Sequence, residues 1–268
     1  MTSKSSESFQ ITREIAEFYE AAFVPAFFAQ WAPILCEAAG VAPGHRVLDV
    51  ACGTGIVTRT AADWVAPTGR VVGVDLNEAM LSVARRVRPA IEFRQGDAAL
   101  LPFGDESFDR VLSQMALMFF SDRAIAVQEM ARVTASGGIV AVLVPGTLEH
   151  QEAFARFVDL AVRCAGDQAR SLLSSYFRCG DLDELAALVE SAGLQITTAR
   201  SEVGTYRAPS VDAFVTTEVE STPLVQRISH DVYARIRTGA HRVLAPFTTA
   251  DGRVEAPFES NLVVARRA

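Results

Sequence analysis

Apolar residues fall in short blocks along the first half of the chain, each stopped by small or polar residues. Val47-Leu48-Asp49-Val50 runs into Ala51-Cys52-Gly53-Thr54-Gly55, and Val71-Val72-Gly73-Val74 ends at Asp75. Further blocks occupy 91–95, 108–113 and 138–144. β-Branched and aliphatic runs of this length read as buried parallel strands. Helix-compatible segments lie between most of them, beginning with Ile56 to Val65. Alternation of this kind predicts an α/β fold, a parallel sheet covered by helices on both faces. Asp122 is placed to cap a helix running to Val133, with Ile125, Met130 and Val133 toward the sheet. Gly137-Gly138 reads as the turn into the fifth strand.

The second half repeats the pattern less regularly. Asp181-x-x-Glu184 fits a capping box for a helix with Leu182, Leu185, Leu188 and Val189 on one side, and Gly193 ends it. Strands are expected at 194–199 and 261–265, with helical segments at 210–219 and 229–244 between them. So long an intervening stretch is too much for a plain loop, and 203–255 reads as an inserted cap. A second cap is expected at 11–39, where Phe18, Tyr19, Phe23, Phe27, Phe28 and Trp31 cluster ahead of the first strand. Pro25 interrupts it. The whole chain, 1–268, then reads as a single domain carrying two caps.

The turn after Val50 carries the most chemistry. Two glycines one position apart let a ligand approach the backbone, and a helix begins directly behind them. The free N–H groups at that helix N-terminus favour a negatively charged ligand group. Asp75 closes the next strand twenty residues beyond Gly55, where a carboxylate can accept from both hydroxyls of a ribose. A nucleoside-bearing cofactor is the reading. A dinucleotide site would place a third glycine where this chain has Thr58, which sets aside an NAD-dependent oxidoreductase.

The segment 47–55 resembles motif I of the class I S-adenosyl-L-methionine-dependent methyltransferases. The resemblance extends to Val74-Asp75-Leu76 (motif II), Gln95-Gly96-Asp97-Ala98 (motif III), Phe108 to Gln114 (motif IV) and the strand after Gly137-Gly138. It covers roughly residues 40–145 and is nearest the type-11 group typified by ubiquinone/menaquinone biosynthesis methyltransferases, which act mainly on small molecules. It implies a Rossmann-like fold, a seven-stranded mostly parallel sheet with helices on both faces and a C-terminal antiparallel hairpin. It also implies S-adenosyl-L-methionine as cofactor. The backbone of Ala51, Cys52, Gly53, Thr54 and Gly55 would wrap the methionine portion, and Asp49 would support that loop and the ligand's amino group. Leu76 and Met80 would contact the adenine face. Gly96, Asp97 and Ala98 would meet the adenine edge, with the Asp97 carboxylate accepting from its amino group. Tyr19 is counted with this cofactor-binding set.

Gln114 and Met115 end the fourth strand, where ligands of open α/β sheets bind, and they are expected near the methionine moiety or the transferring methyl. Enzymes that methylate amino groups of bases or of glutamine carry Asn/Asp-Pro-Pro-Tyr there. This chain has Ser113-Gln114-Met115-Ala116, with no acidic pair for a metal, so none is expected. A proton acceptor is harder to place. His150, after the fifth strand, is the catalytic candidate, while His45, His230 and His241 read as structural or solvated. Tyr19, Tyr176 and Tyr206 are candidates to orient a substrate.

Composition narrows the partners. The chain has 268 residues, half of them hydrophobic, and a net charge of −7, which argues against binding nucleic-acid backbones. Residues 1–10 are polar with no signal-peptide pattern, and the apolar stretch from Ala21 to Cys36 is interrupted and too short to span a bilayer. Four cysteines without metal or redox spacing read as reduced thiols, so a cytoplasmic location is expected. The expected reaction is methyl transfer to a small-molecule acceptor; assembly as a homodimer is left open. Two alternatives are carried: a non-catalytic S-adenosyl-L-methionine-binding protein, and an aminopropyltransferase. The latter should hold acidic residues after the fourth strand, and Gln114 to Phe120 include none.

Overall fold

The computed structural model describes residues 12–268. The polar segment 1–10 and Ile11, the first residue of the expected N-terminal cap, lie outside the described residues. Seven strands form one sheet: β1 Arg46–Val50, β2 Arg70–Asp75, β3 Glu92–Gln95, β4 Phe108–Gln114, β5 Thr134–Pro145, β6 Leu194–Ala208 and β7 Val254–Arg267. Their order is β3-β2-β1-β4-β5-β7-β6. The pairs β1/β2, β1/β4, β2/β3 and β4/β5 are parallel, and the C-terminal strands are antiparallel. The strand order reverses between β1 and β4, and in open α/β sheets the crevice at the carboxyl ends of such a pair receives the ligand.

The chain divides into two compact units. Of the described residues, the first comprises 12–143, 183–200 and 262–268. Its helices are α1 Arg13–Phe18, α2 Val24–Ala26, α3 Trp31–Ala38, α4 Ile56–Val65, α5 Glu78–Val87 and α6 Arg123–Val133, followed by 182–191. The sheet core is apolar on both faces, with Val47, Leu48, Val50, Val72, Val74, Val111 and Leu112 almost fully buried. The second unit comprises 144–182 and 201–261, so the expected cap at 203–255 lies inside it together with the segment after β5. It is mainly helical, with helices at 152–165, 167–173, 211–220, 224–227 and 230–243. The Phe154 ring sits 5.1–5.7 Å from those of Phe177, Tyr206, Phe214 and Phe258 at its core.

Three expectations are corrected. Ile125 is 44% exposed, whereas Ala126, Val127, Met130 and Val133 are buried. At 100° per residue Ile125 stands about 140° around the helix from Met130, off the buried stripe. Gly137 and Gly138 lie inside β5, where the register against β4 shifts, rather than in a turn before it. Gly137 at φ +73° supplies the bulge. Finally, β6 and β7 are far longer than 194–199 and 261–265. Most of β6 is exposed or half-buried at the sheet edge, so its Thr- and Arg-rich sequence carries no apolar run to announce it.

The N-terminal segment is broken at the expected place. Pro25 cannot donate to the helix and crowds the preceding turn. The chain responds with a π-turn at Tyr19–Phe23, and helices 13–26 and 28–38 meet at 56° around Phe27. No single helix among the described residues is long and apolar enough to cross a membrane. That bent pair meets the criterion only jointly, and its Trp31, Ala32, Leu35 and Cys36 are fully buried in the protein.

Candidate cofactor site

The loop after β1 turns left-handed three times: Ala51 at φ +58°, Gly53 at +55° and Gly55 at +87°. A non-glycine residue held there is strained, and such strain gathers at binding sites. Cys52 N donates to Val74 O at 2.9 Å, pinning the loop to the end of β2. The Cys52 side chain turns inward, packing with Leu81, Ala84 and Phe93, so only its backbone is available to a ligand. Gly55 caps α4, and a Cβ there would press on the Phe93 ring at 3.0 Å. A Cβ on Gly53 would meet nothing within 4 Å. Gly53 is thus required by its backbone angle, and its face opens onto space.

Asp75, the last residue of β2, organises this loop. Its Oδ2 accepts from Gly53 N and its Oδ1 from Asn77 N, both at 2.8 Å. Each oxygen keeps a lone pair for a further donor. Burial raises the carboxyl above its usual range, against the backbone bonds from Asn77, Gly53 and Leu76. Asp49 lies on β1, 1% exposed, and its Oδ2 accepts from Thr58 Oγ1 at 2.6 Å. Burial pushes its pKa to about 7, with the nearby Asp75 charge adding to the rise. Asp97, beyond β3, is exposed; its Oδ1 accepts from Ala99 N at 2.9 Å. Gly96 N donates to Asp75 O at 3.0 Å, which ties motif III to the end of β2.

At the end of β4, Met115 is again left-handed, φ +54°, with its N–H donating to Leu143 O at 2.7 Å. Gln114 Nε2 donates to Phe28 O at 3.1 Å, joining β4 to the N-terminal segment. Because that carbonyl can only accept, the amide orientation is fixed and Oε1 faces the other way. This Oε1 is buried without a partner, as is Thr54 Oγ1 in the glycine loop. Buried orphaned acceptors and donors are scarce in folded proteins, and a ligand is one way to satisfy them. Leu76 is 64% exposed beyond Asp75. Met80 is not exposed with it: it is buried on α5 against Ala16 and Val83, with Tyr19 packed on the same cluster. Tyr19 stacks in turn on Phe28, ring centres 4.9 Å apart.

Arg59 is a residue the sequence reading did not single out. Its Nη2 meets Glu20 Oε1 at 2.8 Å, both side chains under one-fifth exposed, while Nη1 donates to Thr54 O at 3.1 Å. It ties the π-turn to the glycine loop. No sequence signal connects positions so far apart.

In the second unit His150 is well exposed, with Nδ1 2.6 Å from Glu259 Oε1. His45 Nδ1 accepts from Ala42 N at 3.1 Å, a loop tie. His241 faces Asp212 at 3.4 Å on the surface, and His230 opens the helix at 230–243. Tyr206, nearly buried, donates to Glu218 Oε1 at 3.3 Å. Desolvation lifts Glu218 to about 7, and its charge helps raise Tyr176 to about 12 after that group's own burial. Glu218 also escaped the sequence reading. It was findable: an acid within the apolar stripe Val211, Phe214, Val215. Among the described residues no three His, Cys, Asp or Glu side chains are grouped to hold a metal.

A family model described as a methyltransferase domain matches residues 48–142. The ubiquinone/menaquinone biosynthesis C-methyltransferase of Ectopseudomonas mendocina is 34% identical over 190 residues, 65% of this chain and 74% of that relative. A Bacillus halodurans protein assigned as a methyltransferase shares the fold at TM-score 0.60 and 23% identity, covering 88% of this chain and 98% of its own. A phosphoethanolamine N-methyltransferase of Haemonchus contortus, solved with phosphomonomethylethanolamine and S-adenosylhomocysteine, superposes at TM-score 0.58 and 22% identity. That match covers 97% of this chain and 58% of the other.

Proposed function

The chain belongs to the class I S-adenosyl-L-methionine-dependent methyltransferases of the ubiquinone/menaquinone biosynthesis group, and we propose on that premise that its acceptor is a small, partly apolar or aromatic molecule. The cofactor is S-adenosyl-L-methionine. When bound, it supplies an electrophilic methyl for a nucleophilic electron pair of the acceptor, a heteroatom lone pair or a ring-carbon π pair, the electrons of the broken S–C bond staying on sulfur.

The chain's own residues bind, orient and exclude water. Asp75, already holding Gly53 and Asn77, is assigned to the ribose hydroxyls through its remaining lone pairs. Asp49, Gln114 and the loop Ala51 to Gly55 are assigned to the methionine portion. The orphaned Oε1 of Gln114 and Oγ1 of Thr54 support that fit. Leu76, Gly96, Asp97, Ala98 and Met115 are assigned to the adenine and sulfonium surroundings. Cys52 is assigned through its backbone alone, and Met80 and Tyr19 as packing behind the pocket.

His150 is the proposed proton acceptor. With Nδ1 protonated and donating to Glu259, Nε2 is left to accept, and the carboxylate stabilises the imidazolium that forms. A cytoplasmic location belongs to the same reading, supported by four cysteines outside any disulfide. So does the absence of a nucleic-acid partner.

The observation that carries the proposal is Asp75 bracing a left-handed glycine whose open face receives no protein atom. Turnover of methyl-labelled S-adenosyl-L-methionine against a panel of phenols, quinols and small amines tests it. Methylation of an aromatic hydroxyl or ring carbon supports the reading. Transfer confined to nucleic acid or protein overturns it.

A further inference from the structure

The two faces of the sheet edge β2–β3 are covered differently. Phe93 and Gly73 face α5, since a Cβ on Gly73 would strike the Phe93 ring at 2.7 Å. Side chains alternate along strands, so Arg70, Val72, Glu92 and Arg94 point to the opposite face. The connection from β3 to β4, residues 96–107, contains no helix to cover it. A cavity of about 280 Å³ results, lined by Arg46, Arg70, Val72, Arg94, Phe103, Ser107 and Phe108.

The lining holds three guanidiniums and no carboxylate, in a chain whose net charge is −7. Two acids flank it. Asp109 takes Arg46 at 2.7 Å, while Glu92 divides its oxygens, Oε1 for Arg94 at 2.5 Å and Oε2 for Arg70. Three cations against two anions leave one positive charge over. A guanidinium has five N–H donors; Glu92 engages one nitrogen of Arg70 and two of Arg94. The remaining wall is apolar: Val72, Phe108 and Phe103, over whose ring Arg94 stacks at 5.0 Å. Arg46, Arg70 and Phe108 each open a strand, so the cavity lies toward the amino ends of β1, β2 and β4, away from the glycine loop.

We propose that this cavity binds a small planar carboxylate, its charge on Arg70 and Arg94 and its flat body against Phe103 and Val72, independently of the cofactor. A site of this volume suits a single-ring ligand, and planar bidentate recognition of carboxylates is what guanidinium groups do best.

Benzoate is the probe, titrated by calorimetry and ligand-observed NMR into the full chain, with benzamide and inorganic phosphate alongside. Benzoate should bind at least tenfold more tightly than either. Arg94→Gln and Arg70→Gln should each weaken it at least tenfold, and Phe103→Ala at least threefold, with far-UV circular dichroism unchanged. Saturating S-adenosylhomocysteine should leave the benzoate affinity unaltered. Equal binding of benzamide or phosphate, wild-type affinity in folded Arg94→Gln and Phe103→Ala, competition by S-adenosylhomocysteine, or no binding of benzoate would each overturn the proposal.

Discussion

Thr58 Oγ1, on α4, donates a 2.6 Å hydrogen bond to Oδ2 of Asp49 on β1, shielded from water between helix and sheet. The residue standing where a dinucleotide fold would keep its third glycine is therefore occupied in holding an acid that such a fold does not need. Burial outweighs that bond and sets the Asp49 carboxyl to ionise at about 7 rather than 3.8. Its contribution to folding is thus fully present below the ordinary carboxylate pKa and is lost as pH rises through about 7. A cationic amino group beside Asp49 reverses the preference, favouring the ionised form. Cofactor affinity should rise with pH from about 5.5 to 7.5 and then level off, with protons released on binding. Calorimetry in buffers of different ionisation enthalpy measures the release. Asp49→Asn should abolish both the release and the slope, and a pH-independent wild-type affinity would remove Asp49 from the ligand. Thr58→Val should weaken binding by about 1–3 kcal/mol at neutral pH, the cost of an unpartnered buried charge.

Asp75 is predicted to have two separable roles. Asp75→Ala loses the ribose acceptor and the brace on Gly53, and should weaken cofactor binding by about 1–3 kcal/mol. Asp75→Asn keeps one carbonyl acceptor and should retain an intermediate affinity. Gly53→Val should cost at least as much, through its φ of +55° and its intrusion into the open space in front of the loop. Wild-type calorimetric affinity in folded Asp75→Ala would sink the ribose assignment.

Arg59 links two segments that must cooperate, Glu20 in the π-turn and Thr54 in the glycine loop. Removing it leaves Glu20 partly buried without its cation. Arg59→Ala should lower stability by about 1–3 kcal/mol in chemical denaturation and raise the cofactor Kd. Arg59→Lys keeps the charge without the fork and should recover part of the stability only. Unchanged affinity in a destabilised Arg59→Ala would confine the residue to folding.

How far the site could be read from sequence follows from how local each part is. The strand–glycine–helix turn, Asp75 twenty residues on, and Asp122 capping α6 are all short-range patterns, and each holds in the structure. Met80, which the resemblance sets at the adenine face, packs on α5 with Ala16 and Val83, a contact that no local pattern announces. The Gln114–Phe28 and Arg59–Glu20 links join elements distant in sequence, with no periodicity to betray them. The length of β6 beyond 199 is illegible for another reason: an edge strand buries too little to need an apolar run.

His150 offers a kinetic test. If its Nε2 accepts the acceptor's proton, His150→Gln should lower kcat by about 10²-fold or more while leaving cofactor Kd alone. Glu259→Gln should act in the same direction but more weakly, since the ring keeps a hydrogen-bond partner. Wild-type kcat in His150→Gln with a good acceptor would show that no base is used at this position. In that case Glu218, with Tyr206 bonded to it, becomes the group to substitute next.

The N-terminal segment does not behave as one element in the structure, and its exchange should divide accordingly. Trp31, Ala32, Leu35 and Cys36 are fully buried on α3. On α1, by contrast, Ala16 is buried while Ile15 and Phe18 are more than half exposed. Residues 12–30 bury Val24, Phe27 and Phe28, and are tied to the rest by Gln114 to Phe28, Arg59 to Glu20, Arg86 to Glu17, and Met80 against Ala16. Two of these ties start from residues that flank the cofactor loop. Amides of 12–30 should therefore exchange faster than those of β1 in the free protein and slow by about tenfold or more when S-adenosyl-L-methionine binds. Those of 31–38 should be protected in both states. Closure over the ligand excludes water from a methyl transfer that water would otherwise intercept. Equal, ligand-independent protection across 12–38 would make the whole segment ordinary core and remove the lid.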